Sequence, residues 1–144
     1  MIGYLDTSAF VPLVVAEPSS ESCRRFWDDA DAVATSRLLY VETAAALAQA
    51  RRQNRLNDVQ HQLSLRLMER LWSQVDVLEV DDVVARRAGV LARELALRGY
   101  DAVHCATAER LDDVTLVAAS GDRRLLRAWN TLGLATYDTT ARAT

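Results

Sequence analysis

A chain of 144 residues, 50% hydrophobic and 26% charged, has the size and composition of one globular domain with its own core. A net charge of −3 argues against the basic surface of a general nucleic-acid coat, and no apolar run approaches the roughly 20 residues needed to span a bilayer. Cys23 and Cys105 have neither metal-ligand spacing nor disulfide-framework density, and no basic region precedes the first strand, so free thiols and a cytoplasmic protein are expected.

Ile2 to Ser8 reads as a short buried strand that delivers Asp6, then the hydroxyls of Thr7 and Ser8, to its carboxyl end. A short helix is expected from Ser8 to Ala16, with Pro12 in its first turn, where a missing N–H costs little. Pro18 and Ser19-Ser20-Glu21 open a second helix through Trp27, and Ala32 to Thr35 is a second strand. Arg37 to Gln53, rich in Ala and Leu, is a strong helix. A turn at 54–57 leads to another helix from Asp58 to Gln74.

That Asp58 helix carries two apolar stripes, one of Val59, Leu63, Leu67 and Leu71, the other of Leu65, Met68 and Trp72. A helix facing one core needs only one. Either both are buried within the domain, or the second meets another chain, since interface cores favour Trp and Met. Val75 to Val80 is a third strand, followed by an amphipathic helix from Asp82 to Arg98 that Gly99 should end as a left-handed cap. A helix from Asp101 to Leu111, a strand from Thr115 to Ala119, a helix from Asp122 to Leu132 stopped at Gly133, and a strand from Leu134 to Tyr137 complete the chain. Strands alternating with helices predict an α/β fold with a mostly parallel five-stranded sheet, ordered 3-2-1-4-5. The acid pairs Asp81-Asp82 and Asp112-Asp113 fall at element junctions, as caps and turns.

Four acids stand apart: Asp6, Glu42, Asp101 and Asp122. Glu42 lies inside the Arg37 helix on a face shared with Leu38, Leu39, Ala45 and Ala46, too deep to be an N-cap. A carboxylate there is costly unless a cation binds it or an arginine pairs with it. Asp6, taken alone, reads first as a helix N-cap. Parallel strands, however, all end on one edge. Asp6 ends the first strand, Ser120 and Asp122 follow the fourth, Glu42 is about one turn into the helix after the second, and Asp101 opens the helix leading to the fourth. Carboxylates gathered that closely cannot all stay ionised unaided. Oxygen donors without organised His or Cys favour Mg²⁺ or Mn²⁺. Such a cation activates water and stabilises in-line attack on phosphate, so metal-assisted phosphodiester hydrolysis is the implied chemistry.

Leu5-Asp6-Thr7-Ser8, then Ser36 to Ala48 with its Val41-Glu42 step, then Asp101-Ala102-Val103-His104-Cys105-Ala106-Thr107-Ala108, then Ser120-Gly121-Asp122 with Arg123-Arg124-Leu125, form an ordered series through essentially the whole chain. The series resembles a PIN-domain ribonuclease of the VapC toxin type, with residues 1–144 as one PIN domain. The resemblance implies an endoribonuclease, a hydrolase requiring Mg²⁺ or Mn²⁺, with Asp6, Glu42, Asp101 and Asp122 as its catalytic, metal-holding acids. It implies that Thr7, Ser8 or Ser120 orients a ligand or a metal-bound water. It also implies a homodimer, neutralised by a small VapB-like antitoxin protein, and an RNA substrate it does not specify. His104, one turn after Asp101, either contacts the scissile phosphate or is a packed, hydrogen-bonded helix histidine. Arg123, Arg124 and Arg127 either hold RNA phosphates or are ordinary surface arginines.

The rivals are fewer. A receiver domain needs a Lys at the end of its last strand, and all seventeen basic residues here are Arg. A haloacid-dehalogenase-like phosphatase wants a second Asp where Ser8 stands. No Gly-rich fingerprint follows the first strand, which removes dinucleotide and P-loop readings. A non-catalytic binding module with the same fold remains the alternative.

Overall fold

The computed structural model describes residues 1–142. At its centre β1 (Ile2–Leu5) lies between β2 (Ala32–Ser36) and β4 (Leu116–Ser120), with β3 (Asp76–Leu78) and β5 (Ala135–Asp138) outside them. All four pairings are parallel and the order is β3-β2-β1-β4-β5, as the sequence predicts. Side chains alternate across a strand, so β1 sends Tyr4 to one face and Leu5 to the other. Tyr4 joins a core with Leu91, Cys105, Leu125 and Trp129; Leu5 joins one with Phe10, Leu39, Leu47 and Met68. The first core lies under α5 (Asp82–Glu94), α6 (Gly99–Leu111) and α7 (Arg123–Thr131). The second lies under α1 (Thr7–Val14), α2 (Ser20–Asp29), α3 (Leu38–Arg52) and α4 (Asp58–Trp72). Gly3 is a close-approach position: a Cβ there would come within 2.8 Å of the Phe26 ring. Among the described residues no helix is long and apolar enough to cross a membrane.

Three local expectations need correcting. Helix α1 starts at Thr7, capped by the Asp6 side chain, so Pro12 falls in its second turn and removes a hydrogen bond there. Gly99 does not end the helix before it. Helix α5 stops at Glu94, Ala96 takes the left-handed conformation (φ 53°), and the Leu97 amide donates to the Ala92 carbonyl, while Gly99 opens α6. An alanine in that conformation costs about 1–2 kcal/mol, which burial of Leu97 offsets. In α4 the inward line is Ser64 and Met68, and the Ser64 hydroxyl donates to the Val14 carbonyl (2.9 Å). Leu65, Leu67, Leu71 and Trp72 flank that line half-buried, while Val59 and Leu63, from the first stripe, are 68% and 56% exposed.

The early stop of α5 also explains how Asp101 reaches the active edge. Arg87 pairs with Glu109 and Arg110 with Asp81, so the start of α5 lies beside the end of α6. The two helices therefore run antiparallel, and α5 carries the chain back to where α6 begins. The acid pairs do serve as caps and turns: Asp81 accepts from the Val84 amide, Asp112 is a left-handed helix end, and Asp113 accepts from the Thr115 amide.

Candidate active site

Asp6 and Asp122 are both N-caps, each at the end of a central strand. Asp6 Oδ1 accepts from the Ala9 amide (3.0 Å) and the Ser8 hydroxyl (2.7 Å), and its Oδ2 accepts from the Ser120 hydroxyl (2.7 Å). Asp122 Oδ1 accepts from the Arg124 and Leu125 amides, leaving Oδ2 for the edge of the sheet. Capping thus leaves each residue its Oδ2 for a contact at the edge, Asp6 with Ser120 and Asp122 with Arg98. Two helix N-termini converge here, and their positive ends favour negative charge.

The remaining two acids join through short links. The Thr7 hydroxyl donates to Glu42 Oε1 (2.7 Å), and His104 Nε2 lies 2.8 Å from the same oxygen. An ionised carboxylate can only accept, so the imidazole proton belongs on Nε2 and Nδ1 accepts from the Tyr4 hydroxyl (2.8 Å). Burial holds the Tyr4 phenol well above its ordinary pKa, which keeps it a donor. Among the described residues Glu42 therefore has hydroxyl and imidazole partners and no arginine. Asp101 and Asp122 share one guanidinium: Arg98 Nε reaches Asp101 Oδ2 at 3.1 Å and Nη2 reaches Asp122 Oδ2 at 3.4 Å.

One polar network therefore connects three of the four acids. It runs from Asp6 through Ser120 to the Asp122 amide, then through Arg98 to Asp101; Glu42 is tied to Thr7, the residue after Asp6. Burial pushes the Asp6 and Asp101 carboxyls up, opposed at Asp6 by the Ser120 and Ser8 hydroxyls and at Asp101 by Arg98; the Asp122 charge raises Asp101 further. These oxygens are the donor set of a hard divalent cation, and a single positive group already spans two of them, so the residues fit Mg²⁺ or Mn²⁺. Among the described residues no three His, Cys, Asp or Glu side chains yet close around a common point. The acids are gathered, with Arg98 between two of them, and are not a finished cage.

Thr7, Ser8 and Ser120 hold the carboxylates themselves, and Ser120 is fully buried. His104 is 2% exposed with both ring nitrogens engaged, so it turns no edge toward an RNA phosphate; it is the packed histidine. Arg123, Arg124 and Arg127 are exposed and line, with Arg98 and Asp122, an open cleft of about 500 Å³. Sequence reasoning missed Arg98, although its spacing of three from Asp101 was a usable signal. Cys105 is buried, its thiol pushed up to about 12 by burial, as expected of a small apolar residue.

The PIN domain model matches residues 3–129 of the chain. Ribonuclease VapC45 of Mycobacterium tuberculosis (strain CDC 1551 / Oshkosh) is 43% identical over 122 residues, 85% of either chain. The structure of FitAB bound to an IR36 DNA fragment superposes with a TM-score of 0.73 at 18% identity, covering 100% of this chain and 99% of that one. A toxin–antitoxin complex from Klebsiella pneumoniae gives 0.64 at 17% identity, covering 94% and 98%. Fold, ordered acids and relatives agree: the chain belongs to the PIN-domain family, in its VapC-type branch.

Proposed function

We propose that this chain is a divalent-metal-dependent endoribonuclease, the toxin of a toxin–antitoxin pair. The observation that carries the reading is the gathering of Asp6, Glu42, Asp101 and Asp122 at one sheet edge, in a family whose relative VapC45 is named a ribonuclease. Those four side chains would hold Mg²⁺ or Mn²⁺. When bound, such a cation lowers the pKa of water and offsets the charge that builds on phosphate.

The chain's own residues supply the rest. Ser8 and Ser120 fix both oxygens of Asp6, and Thr7 with His104 fixes Glu42, so neither acid must be ordered when a substrate arrives. His104, buried behind Glu42, is a positioning residue. Arg123, Arg124 and Arg127 offer the cleft forked donors suited to RNA phosphates. A protein partner and a homodimer are consistent with the exposed apolar residues. Val41 and Val80 border, with Trp72, an open concavity of about 600 Å³, and Val59 and Leu63 lie exposed on α4. The antitoxin reading rests on the fold shared with the Klebsiella pneumoniae complex.

An RNA digest with purified protein tests the activity. Cleavage is expected with Mn²⁺ or Mg²⁺ and none with a chelator. Cleavage in chelator would remove the metal from the account, and an intact substrate under every divalent cation would leave a binding module.

A further inference from the structure

We propose that Arg98 is a built-in counter-cation of the acidic edge, competing with a divalent cation for Asp101 and Asp122. The inference rests on the metal-dependent reading above and adds a residue that restrains it. Arg98 sits at the N-cap position of α6 but gives that helix no side-chain cap. Its fork is spent instead on two carboxylates from different elements, Asp101 in α6 and Asp122 before α7.

Both contacts are long for charge-assisted bonds, 3.1 and 3.4 Å against the usual 2.7–2.9 Å. The Arg87–Glu109 pair shows the contrast: two parallel bonds at 2.7 and 2.8 Å to one carboxylate, the geometry of a structural clamp. Arg98 is also 57% exposed, whereas the Asp101 side chain is 9% exposed. A buried carboxylate needs a positive partner, and the one it has is loosely held and open to water. The guanidinium also lies over the Tyr100 ring, 4.8 Å from its centroid, a contact that does not require the acids. Its release therefore strands no buried polar group, while a cation coordinated by the same oxygens takes over their neutralisation. The cost falls on affinity, because every ion that enters must first displace a positive charge the chain itself provides.

The test is Mn²⁺ binding by calorimetry on the full-length wild type, Arg98→Gln, and Arg66→Gln, which removes an equal charge from the exposed side of α4. Arg98→Gln is expected to bind Mn²⁺ about tenfold more tightly. It should melt lower without metal and gain more on adding it, while Arg66→Gln behaves as wild type. Equal affinity in wild type and Arg98→Gln, or weaker binding by Arg98→Gln, overturns the counter-cation role and leaves the metal site standing. No binding by any of the three overturns both.

Discussion

Asp6→Asn is expected to lower RNA cleavage by about a thousandfold or more while the chain stays folded. The fold survives because asparagine is as good an N-cap as aspartate, and its Oδ1 still accepts from the Ala9 amide and the Ser8 hydroxyl. What disappears is one negative charge and the second oxygen, now a donor turned toward Ser120. A cation-holding site loses more from that change than a scaffold does. The pH dependence gives an independent check on metal-free protein. Burial raises the Asp6 carboxyl, so its contribution to stability is full below the unfolded value of about 3.9 and is lost as pH rises through the raised folded value. Wild type should therefore lose stability relative to Asp6→Asn as pH rises from about 4 through the raised folded value, and Mg²⁺ should return it to wild type alone. Urea melts along that pH series measure this; a difference between the proteins that ignores both pH and Mg²⁺ would contradict it.

His104→Leu should cost both stability and activity, for one reason. Leucine fills the space but leaves the buried Tyr4 hydroxyl without its ring-nitrogen partner, at about 1–3 kcal/mol. Glu42 at the same time loses the N–H that fixes Oε1, keeping only Thr7. Removing the hydrogen-bond partner of a metal-holding carboxylate typically lowers affinity or activity about 10–100-fold. Mn²⁺ affinity measured beside cleavage separates the two effects, since a purely structural histidine moves the melting temperature and leaves binding by the folded protein unchanged. His104→Gln, which keeps a donor and an acceptor, should recover part of the metal affinity. Unaltered Mn²⁺ binding in His104→Leu would reduce His104 to a packing residue.

The placement of the four acids at one edge was legible in the sequence because a parallel sheet collects every strand's carboxyl end on one side, and because Glu42 interrupts an apolar face where nothing local explains it. The partners of those acids were less visible. Tyr4 and His104 lie a hundred residues apart, and local sequence cannot separate a histidine that faces substrate from one that faces a tyrosine. Arg98 was hidden by a boundary. With Gly99 nearby, the amphipathic pattern from Asp82 runs on naturally to Arg98, whereas the helix ends at Glu94 through an alanine in a conformation that alanine seldom signals. That early stop makes Arg98 the N-cap residue of α6, within reach of Asp101 and Asp122. The α4 stripes misled similarly, since a serine bonded to the Val14 carbonyl takes the inward line that its apolar neighbours outline.

Anomalous diffraction from crystals grown with Mn²⁺ tests most directly whether these acids share one cation. The expected map has a peak bounded by Asp6, Glu42, Asp101 and Asp122, with the Arg98 guanidinium withdrawn from Asp101. A protein that binds Mn²⁺ elsewhere, or leaves that edge without a peak while Arg98 still bridges Asp101 and Asp122, would contradict the account.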